Sequence, residues 1–203
     1  MIKGKHQNGF SLLEALITLL IVSIGLLGYA ALQIGALNSS VDSFSRTQAT
    51  MILEDAVSRI RNNKEYLKTD SGAENAYVNN VASGTFYAWC DIENSLIPEA
   101  ACTSGASCSM NLLAQQDIFE VCSSVVNTKL PTAIMGAACF DRDTSVGDSD
   151  NCSVGSRMSL YLAWKGVERK DISGKTEYQQ NTRCQTEVGL GSDYACVQLE
   201  IVP

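Results

Sequence analysis

Residues 9–41 read GFSLLEALITLLIVSIGLLGYAALQIGALNSSV, and this stretch decides the fold of the chain. A short basic stretch precedes it, with Lys3, Lys5 and the single histidine, His6. From Ala15 to Val41 no residue carries a charge, and about 20 apolar residues suffice to cross a bilayer core as a helix. The sequence therefore predicts a membrane-spanning helix near the N-terminus.

The charges on the two sides of this helix predict its orientation. Lys3 and Lys5 precede the apolar run and Asp42 follows it. Because basic residues concentrate on the cytoplasmic side of a membrane span, we expect the N-terminus in the cytoplasm and the rest of the chain beyond the membrane.

The cysteines agree with this sidedness. Eight cysteines in a head of this size indicate an oxidising compartment. All of them follow the apolar run: Cys90, Cys102, Cys108, Cys122, Cys139, Cys152, Cys184 and Cys196. The sequence does not choose between the possible pairings, although the short closures Cys139 with Cys152 and Cys184 with Cys196 are the first that we expect.

A zinc site is the alternative use of these cysteines. The sequence contains no Cys-x-x-Cys pair, and His6 lies far from every cysteine along the chain. Structural zinc sites draw on closely spaced cysteine and histidine ligands. We therefore predict candidate disulfide cysteines, no metal ligands and no cofactor.

Length and Glu14 together distinguish the apolar run from three more ordinary kinds of apolar segment. A secretory signal has a shorter apolar region with a small-residue cleavage site, and a soluble core helix does not need so long an uncharged stretch. A plain membrane anchor fits the length but gives no reason for Glu14, because an unpaired carboxylate is expensive inside a bilayer. An intramembrane carboxylate is by default a functional residue.

The segment from Gly9 to Ile17, GFSLLEALI, resembles the class III signal of type IV prepilins and of type II secretion pseudopilins. The resemblance implies cleavage between Gly9 and Phe10 by a prepilin peptidase, followed by N-methylation of Phe10. It also implies that Glu14 attracts the N-terminal amine of a neighbouring subunit during assembly.

Two later stretches resemble the PilV-like minor pilins in particular, residues 23–33 (SIGLLGYAALQ) and residues 48–63. The resemblance implies a minor pilin at the tip or priming complex of a type IV pilus that promotes assembly, adhesion or twitching motility. The implied partners are other major and minor pilins, the prepilin peptidase and the inner-membrane assembly platform. The implied location is the inner membrane, with a periplasmic head, and then the pilus at the cell surface.

Beyond the apolar run the helical pattern continues. Apolar residues recur at spacings of three and four, as in an amphipathic helix. They are Ala49, Ile52, Leu53, Ala56, Val57 and Ile60. The periodicity is lost near Asn62 and Asn63, so we expect one long helix whose outer half packs against a head domain.

The head combines predicted loops, a helix and strands. Residues 64–109 are irregular and rich in Ser, Gly and Asn, which predicts a loop region stapled by disulfides. Helical spacing up to Pro131 predicts a second helix. Alternation in residues 158–164 and 197–201 predicts strands with one buried face, and residues 134–140 form a third, less regular strand.

These elements predict an α+β, type IV pilin-like fold: a long N-terminal helix and a disulfide-rich head with a short antiparallel sheet. We divide the chain into a leader at residues 1–9, a long helix at residues 10–63 and a globular head at residues 64–203. The transmembrane part of the helix is expected at about residues 14–35.

Charge and motifs exclude several other functions. The net charge of −7 repels nucleic acid, and we interpret the one tight basic cluster, Arg59, Arg61 and Lys64, as a solvated helix end. The acidic loop at residues 141–151 misses the EF-hand pattern, because Cys152 stands where the bidentate glutamate belongs. No catalytic motif is present, so we do not expect an enzyme.

Two other functions remain open. A minor pseudopilin of a type II secretion system shares the leader, the glutamate and the helix. A signal-anchored binding protein that never polymerises shares the membrane span alone.

Overall fold

The computed structural model describes residues 11–69, 75–79, 81–102, 107–143, 152–166, 169–170, 174, 176–177 and 182–203. The chain forms two compact units, the first ending at Ser43 and the second running from Phe44 to Pro203. The division falls within a helix, so one element of secondary structure contributes to both units.

That helix is α1, Leu12–Asn62, which contains 51 residues. In the first unit its large apolar side chains are exposed, whereas in the second unit the predicted stripe is buried. The buried residues are Ala49, Ile52, Leu53, Ala56, Val57 and Ile60. The predictions of a long helix and of its amphipathic continuation are confirmed.

The region between α1 and residue 109 contains more structure than the sequence predicted. It forms the short helix α2, Lys64–Thr69, and the strand β1, Tyr87–Asp91. The expectation that it consists only of loops was wrong. Both elements are too short to show a periodic pattern of apolar residues. Their burial depends on neighbours that are distant in sequence.

The predicted second helix is α3, Met110–Thr128. Ser109 caps its start, because the Ser109 hydroxyl accepts a hydrogen bond from the Leu112 N–H at 3.3 Å. Lys129 ends it in the left-handed conformation with φ 54°, and Pro131 follows two residues later, where proline is common after a helix.

The head contains a four-stranded sheet. Its other strands are β2, Ile134–Phe140, β3, Arg157–Lys165, and β6, Tyr194–Ile201. The order is β1-β2-β3-β6, and all neighbours are antiparallel. Between β3 and β6 lie a small hairpin, β4 (Arg169–Lys170) with β5 (Thr176–Glu177), and the helix α4, Thr182–Val188.

Each face of this sheet carries a separate core. The larger core contains the stripe of α1, the buried face of α3 and one face of the sheet. The smaller core lies on the other face and includes Tyr161, Ala163 and Cys184 of α4. The prediction that β3 has one buried face was wrong, because Ser159, Tyr161 and Ala163 are also buried.

β1 joins the sheet through an irregular pairing. Ala88 pairs with Gly136 and Cys90 pairs with Met135, so Trp89 is an extra residue in a β-bulge. The two backbones are unusually close here, since a Cβ atom added to Gly136 would overlap the Tyr87 carbonyl oxygen. Glycine is therefore required at position 136 for β1 to pair.

Candidate functional site

Glu14 lies in the first turn of α1. The Ser11 carbonyl accepts hydrogen bonds from the N–H groups of Glu14 and Ala15, at 3.0 and 3.2 Å, and so starts the helix. A carboxylate is favoured at this end by the helix dipole. Glu14 is exposed, and no described residue makes a side-chain hydrogen bond or ion pair with it.

The side chains around Glu14 are apolar and exposed. Leu12, Leu13, Leu16 and Ile17 all have more than half of their surface accessible. α1 contains a window long and apolar enough to cross a membrane, and none of that window is buried within the structure. At the centre of a bilayer an unpaired carboxylate costs about 3 kcal/mol on insertion scales, so a cationic partner for Glu14 would be favoured in hydrocarbon.

The other polar side chains in the first part of α1 are satisfied by the helix itself. Thr18 Oγ1 donates to the Ala15 carbonyl at 2.9 Å, and Ser23 Oγ donates to the Leu19 carbonyl at 2.7 Å. Hydroxyl groups that bond back to the preceding turn are compatible with a lipid environment. This contrast makes Glu14 the functional candidate of the segment.

Three glycines of α1 have no packing role within the single chain. A Cβ atom added to Gly25, Gly28 or Gly35 would meet nothing within 4 Å. Glycine lowers helix propensity by about 1 kcal/mol, while small residues allow two membrane helices to approach closely. These positions therefore offer surfaces on which another helix can pack.

Two family models match this part of the chain. A model described as the prokaryotic N-terminal methylation motif matches residues 4–30. A model described as type IV pilin Tt1218 matches residues 31–119, from α1 into α3. The chain carries a type IV pilin domain and a prepilin methylation motif. No curated protein and no solved structure matches the chain.

The two matches define the function at a coarse level. A type IV pilin domain together with a prepilin motif implies processing by a peptidase, anchoring in a membrane and assembly into a pilus. Pilin domains are structural rather than catalytic. Gly9 and Phe10, the predicted cleavage and methylation residues, lie outside the residues that the structure describes.

The pilin head is cross-linked by four disulfides that use all eight cysteines. The pairs are Cys90–Cys122, Cys102–Cys108, Cys139–Cys152 and Cys184–Cys196. Both short closures that the sequence favoured are among them. Cys90–Cys122 spans a sequence separation of 32 and joins β1 to α3, which gives it the largest loop-closure effect, about 3 to 4 kcal/mol.

A polar cluster fastens α1 to α3 inside the pilin head. Arg59 Nε donates to Asp55 Oδ2 at 2.8 Å on α1, and Arg59 Nη1 donates to Glu120 on α3. Asp117 Oδ1 lies 3.6 Å from Arg59 Nη1, and Asp117 Oδ2 accepts from the Tyr77 hydroxyl at 2.9 Å. The interpretation of Arg59 as part of a solvated helix end was wrong.

Burial shifts the pKa values of two groups in this cluster. It raises the pKa of Asp117 above its ordinary value, even though Tyr77 and Arg59 both interact with the carboxylate. It also raises the pKa of the Tyr77 hydroxyl, which therefore stays a donor at every physiological pH. Asn63 Nδ2 completes the cluster by donating to the Tyr77 hydroxyl at 3.3 Å.

The acidic loop that follows β2 lies mostly outside the described residues, which stop at residue 143 and resume at residue 152. At its described ends Asp141 Oδ1 accepts from the Ser153 N–H at 3.0 Å, from the Ser153 hydroxyl at 2.6 Å and from the Ser156 hydroxyl at 3.1 Å. Through these bonds Asp141 holds the two described ends of the loop together.

Sequence reasoning proposed Glu14 and the cysteines as functional residues but missed the polar cluster. Asp117 lies among apolar residues with helical spacing, and a single carboxylate there does not indicate which residue it pairs with. One available signal was the spacing of Asp55 and Arg59, since residues four apart lie side by side on a helix. That signal predicts the local pair but not the bonds across to α3.

Proposed function

We propose that this chain is a PilV-like minor pilin of a type IV pilus, placed in the tip or priming complex, where it promotes pilus assembly and thereby adhesion or twitching motility. The observation that carries the proposal is Glu14, an exposed carboxylate without a described partner at the start of an unburied apolar helix. A subunit with such a helix needs a neighbour that supplies both apolar contacts and a cation.

The proposed mechanism makes cleavage the switch for assembly. The leader, residues 1–9, is removed after Gly9, and Phe10 becomes the methylated N-terminus. Its amine does not exist in the precursor, so Glu14 has no cationic partner before cleavage. After cleavage the amine of one subunit pairs with Glu14 of the next, because each charge is costly when unpaired at low dielectric.

The proposed topology follows from the charges and the cysteines. The N-terminus lies in the cytoplasm, residues 14–35 cross the inner membrane, and the head, residues 64–203, lies in the periplasm. Four disulfides fit an oxidising periplasm. From there the helix, residues 10–63, enters the fibre through contacts with the assembly platform and with other major and minor pilins.

Substitution of Gly9 tests the processing step. In a Gly9→Leu variant we expect the leader to remain attached, which intact-protein mass spectrometry detects as a heavier, unmethylated chain. We also expect the variant to be missing from sheared pili. Gly4→Leu is the matched control, because it makes the same exchange within the leader but away from the cleavage site, and it should mature and enter pili as the wild type does. A Gly9→Leu chain with the wild-type mass and normal incorporation would refute the proposal.

A type II secretion pseudopilin is the alternative that shares the prepilin motif. The two are separated by deleting the gene and scoring both surface pili and secreted enzymes. The proposal expects reduced piliation with normal secretion. Loss of secretion with normal piliation would instead assign the chain to the secretion system.

A further inference from the structure

The pilin head contains a cavity of about 540 Å³ at the outer edge of β1. The strand contributes Tyr87, Ala88 and Trp89, and α3 contributes Asn111, Gln115 and Ile118. The third wall is the segment that follows β1, which includes Leu96 and Glu99. The cavity is therefore a groove between an edge strand and a helix.

The backbone of β1 is open on this side. β1 is the first strand in the order β1-β2-β3-β6, so β2 pairs with only one of its two edges. On the other edge Asp91 exchanges two hydrogen bonds of 2.9 Å with Leu96. No backbone hydrogen bond from outside the sheet reaches Tyr87 to Cys90 among the described residues. An open edge is a template for another strand.

The β-bulge gives the groove an apolar floor. Trp89 is the extra residue of the bulge, and its Nε1 donates to the Tyr77 carbonyl at 2.7 Å, which fixes the orientation of the indole. Ile118 is also buried and lines the same groove. Bulges at sheet edges redirect side chains and often border binding sites.

The helical wall is largely polar. Asn111, Gln115 and Ile118 are spaced by four and three residues, which places them on one face of α3. The Cys90–Cys122 disulfide ties that helix to β1, which limits how far the two walls can separate. A groove between an edge strand and a helix suits an extended peptide that adds to the sheet and takes specificity from side-chain pockets.

The charge of the groove favours one kind of peptide. Glu99 is exposed, and it is the charged residue among the described side chains that line the cavity. No lysine or arginine is among the described residues that line the cavity. A basic side chain is therefore favoured beside Glu99, whereas phosphate and other anions are disfavoured.

We propose that the open edge of β1 binds an extended peptide segment of a partner protein as an additional strand, with an apolar side chain over Trp89 and Ile118 and a basic side chain at Glu99. This inference concerns the head alone and does not depend on the role of Glu14 in assembly. At about 3.3 Å per residue, the open part of the edge, Tyr87 to Cys90, accommodates about four peptide residues.

The test uses the full chain in detergent micelles with its disulfides intact. The probe is the acetylated, amidated pentapeptide Lys-Val-Thr-Val-Thr, and its binding is followed by the amide signals of Tyr87 to Trp89 in NMR titrations. We expect saturable shifts confined to β1, the neighbouring face of α3 and the segment around Glu99. The same peptide with alternate backbone amides N-methylated lacks half of its donors, and we expect at least about tenfold weaker binding.

Variants of the groove sharpen the result. Gln115→Trp fills the groove from an exposed position, and we expect it to abolish the shifts, while Val126→Trp on the same helix leaves them unchanged. Glu99→Lys reverses the preference toward a peptide with glutamate in place of lysine, and Glu54→Lys on α1 does not. Equal binding of the N-methylated peptide, or full binding by Gln115→Trp, would overturn the proposal, as would saturation of the groove by a neutral oligosaccharide but not by the peptide.

Discussion

From Leu12 to Ser43, α1 exposes nearly all of its leucine and isoleucine side chains, whereas from Phe44 to Asn62 it buries a stripe of them in the head. Leu27 is 72% exposed and Leu53 is fully buried, although both belong to one helix. The difference shows that a continuous helical backbone does not determine the environment of its side chains. The first part has an apolar surface suited to lipid or other helices, and the second part has its partner within the chain.

The largest effect that distinguishes the two parts is expected at Glu14. Glu14→Leu removes the carboxylate. We expect the amount of this variant in sheared pili to fall by about tenfold or more, because the amine of the neighbouring subunit is left unpaired. The unfolding of the head should not change. Immunoblots of sheared fibres measure incorporation.

The matched control is Glu54→Leu, which removes an exposed glutamate from the second part of α1. This variant should enter pili as the wild type does. Wild-type incorporation of Glu14→Leu would remove the basis for assigning the first part of the helix to assembly.

The next effect compares two leucines. Leu53→Ala leaves a cavity in the head core, so we expect the free energy of unfolding to fall by about 2 to 5 kcal/mol. Leu27→Ala should leave it unchanged, since Leu27 is exposed. Denaturant titration of the full chain in micelles measures both through the buried residues Trp89 and Trp164. Equal losses in the two variants would show that the parts are not distinct.

A pair of glycines gives a smaller difference. Gly136→Ala places a Cβ atom against the Tyr87 carbonyl, and we expect the resulting shift of β1 to cost about 1 to 3 kcal/mol. Gly28→Ala meets no neighbour, so its only effect on the isolated chain is a better helix propensity. Thermal unfolding of the head separates the two variants, and a stable Gly136→Ala head would contradict the close approach of β1 and β2.

The smallest expected effect is the pH dependence of the contact between α1 and α3. Hydrogen bonds from Gln116 and Arg59 lower the pKa of Glu120. A carboxylate with a lowered pKa in the folded state stabilises the protein above its unfolded pKa, and this contribution is lost as the pH falls through the folded pKa. Because Glu120 is partly exposed, we expect less than about 1 kcal/mol.

Glu120→Gln should therefore lose less stability than the wild type when the pH falls from about 5 to 3. Asp117 acts in the opposite direction, since its pKa is raised. The free energy of unfolding of the variant must therefore be compared with that of the wild type at each pH. Glu54→Gln serves as the control and should follow the wild type. Parallel curves for Glu120→Gln and the wild type would show that the ion pair contributes nothing.

Much of the fold could be predicted because long elements repeat their pattern many times. α1 combines an uninterrupted apolar run with a helical stripe, and β2, β3 and β6 each contain at least seven residues. β1 could not be predicted, because its pairing depends on a glycine in β2 and includes a bulge. α4 is short, and its burial depends on the second face of the sheet.

The candidate sites differ in the same way. Glu14 can be singled out from the sequence, since a charge beside an apolar run is visible there, and its role in assembly stays a prediction. Cys139–Cys152 and Cys184–Cys196 close short loops, whereas Cys90–Cys122 depends on the packing of α3 against β1. The groove beside β1 could not be predicted, because its walls are brought together only by the fold.

The disulfides also limit how far the head can be stretched. Their sequence separations are 32, 13 and 12 residues, and the fourth pair, with a separation of 6, lies inside the first. At about 3.4 Å per extended residue, these loops withhold roughly 190 Å of contour length from any pulling force. Tension on the fibre can therefore break the non-covalent contacts of the head and still lengthen it far less than an uncross-linked chain of equal size.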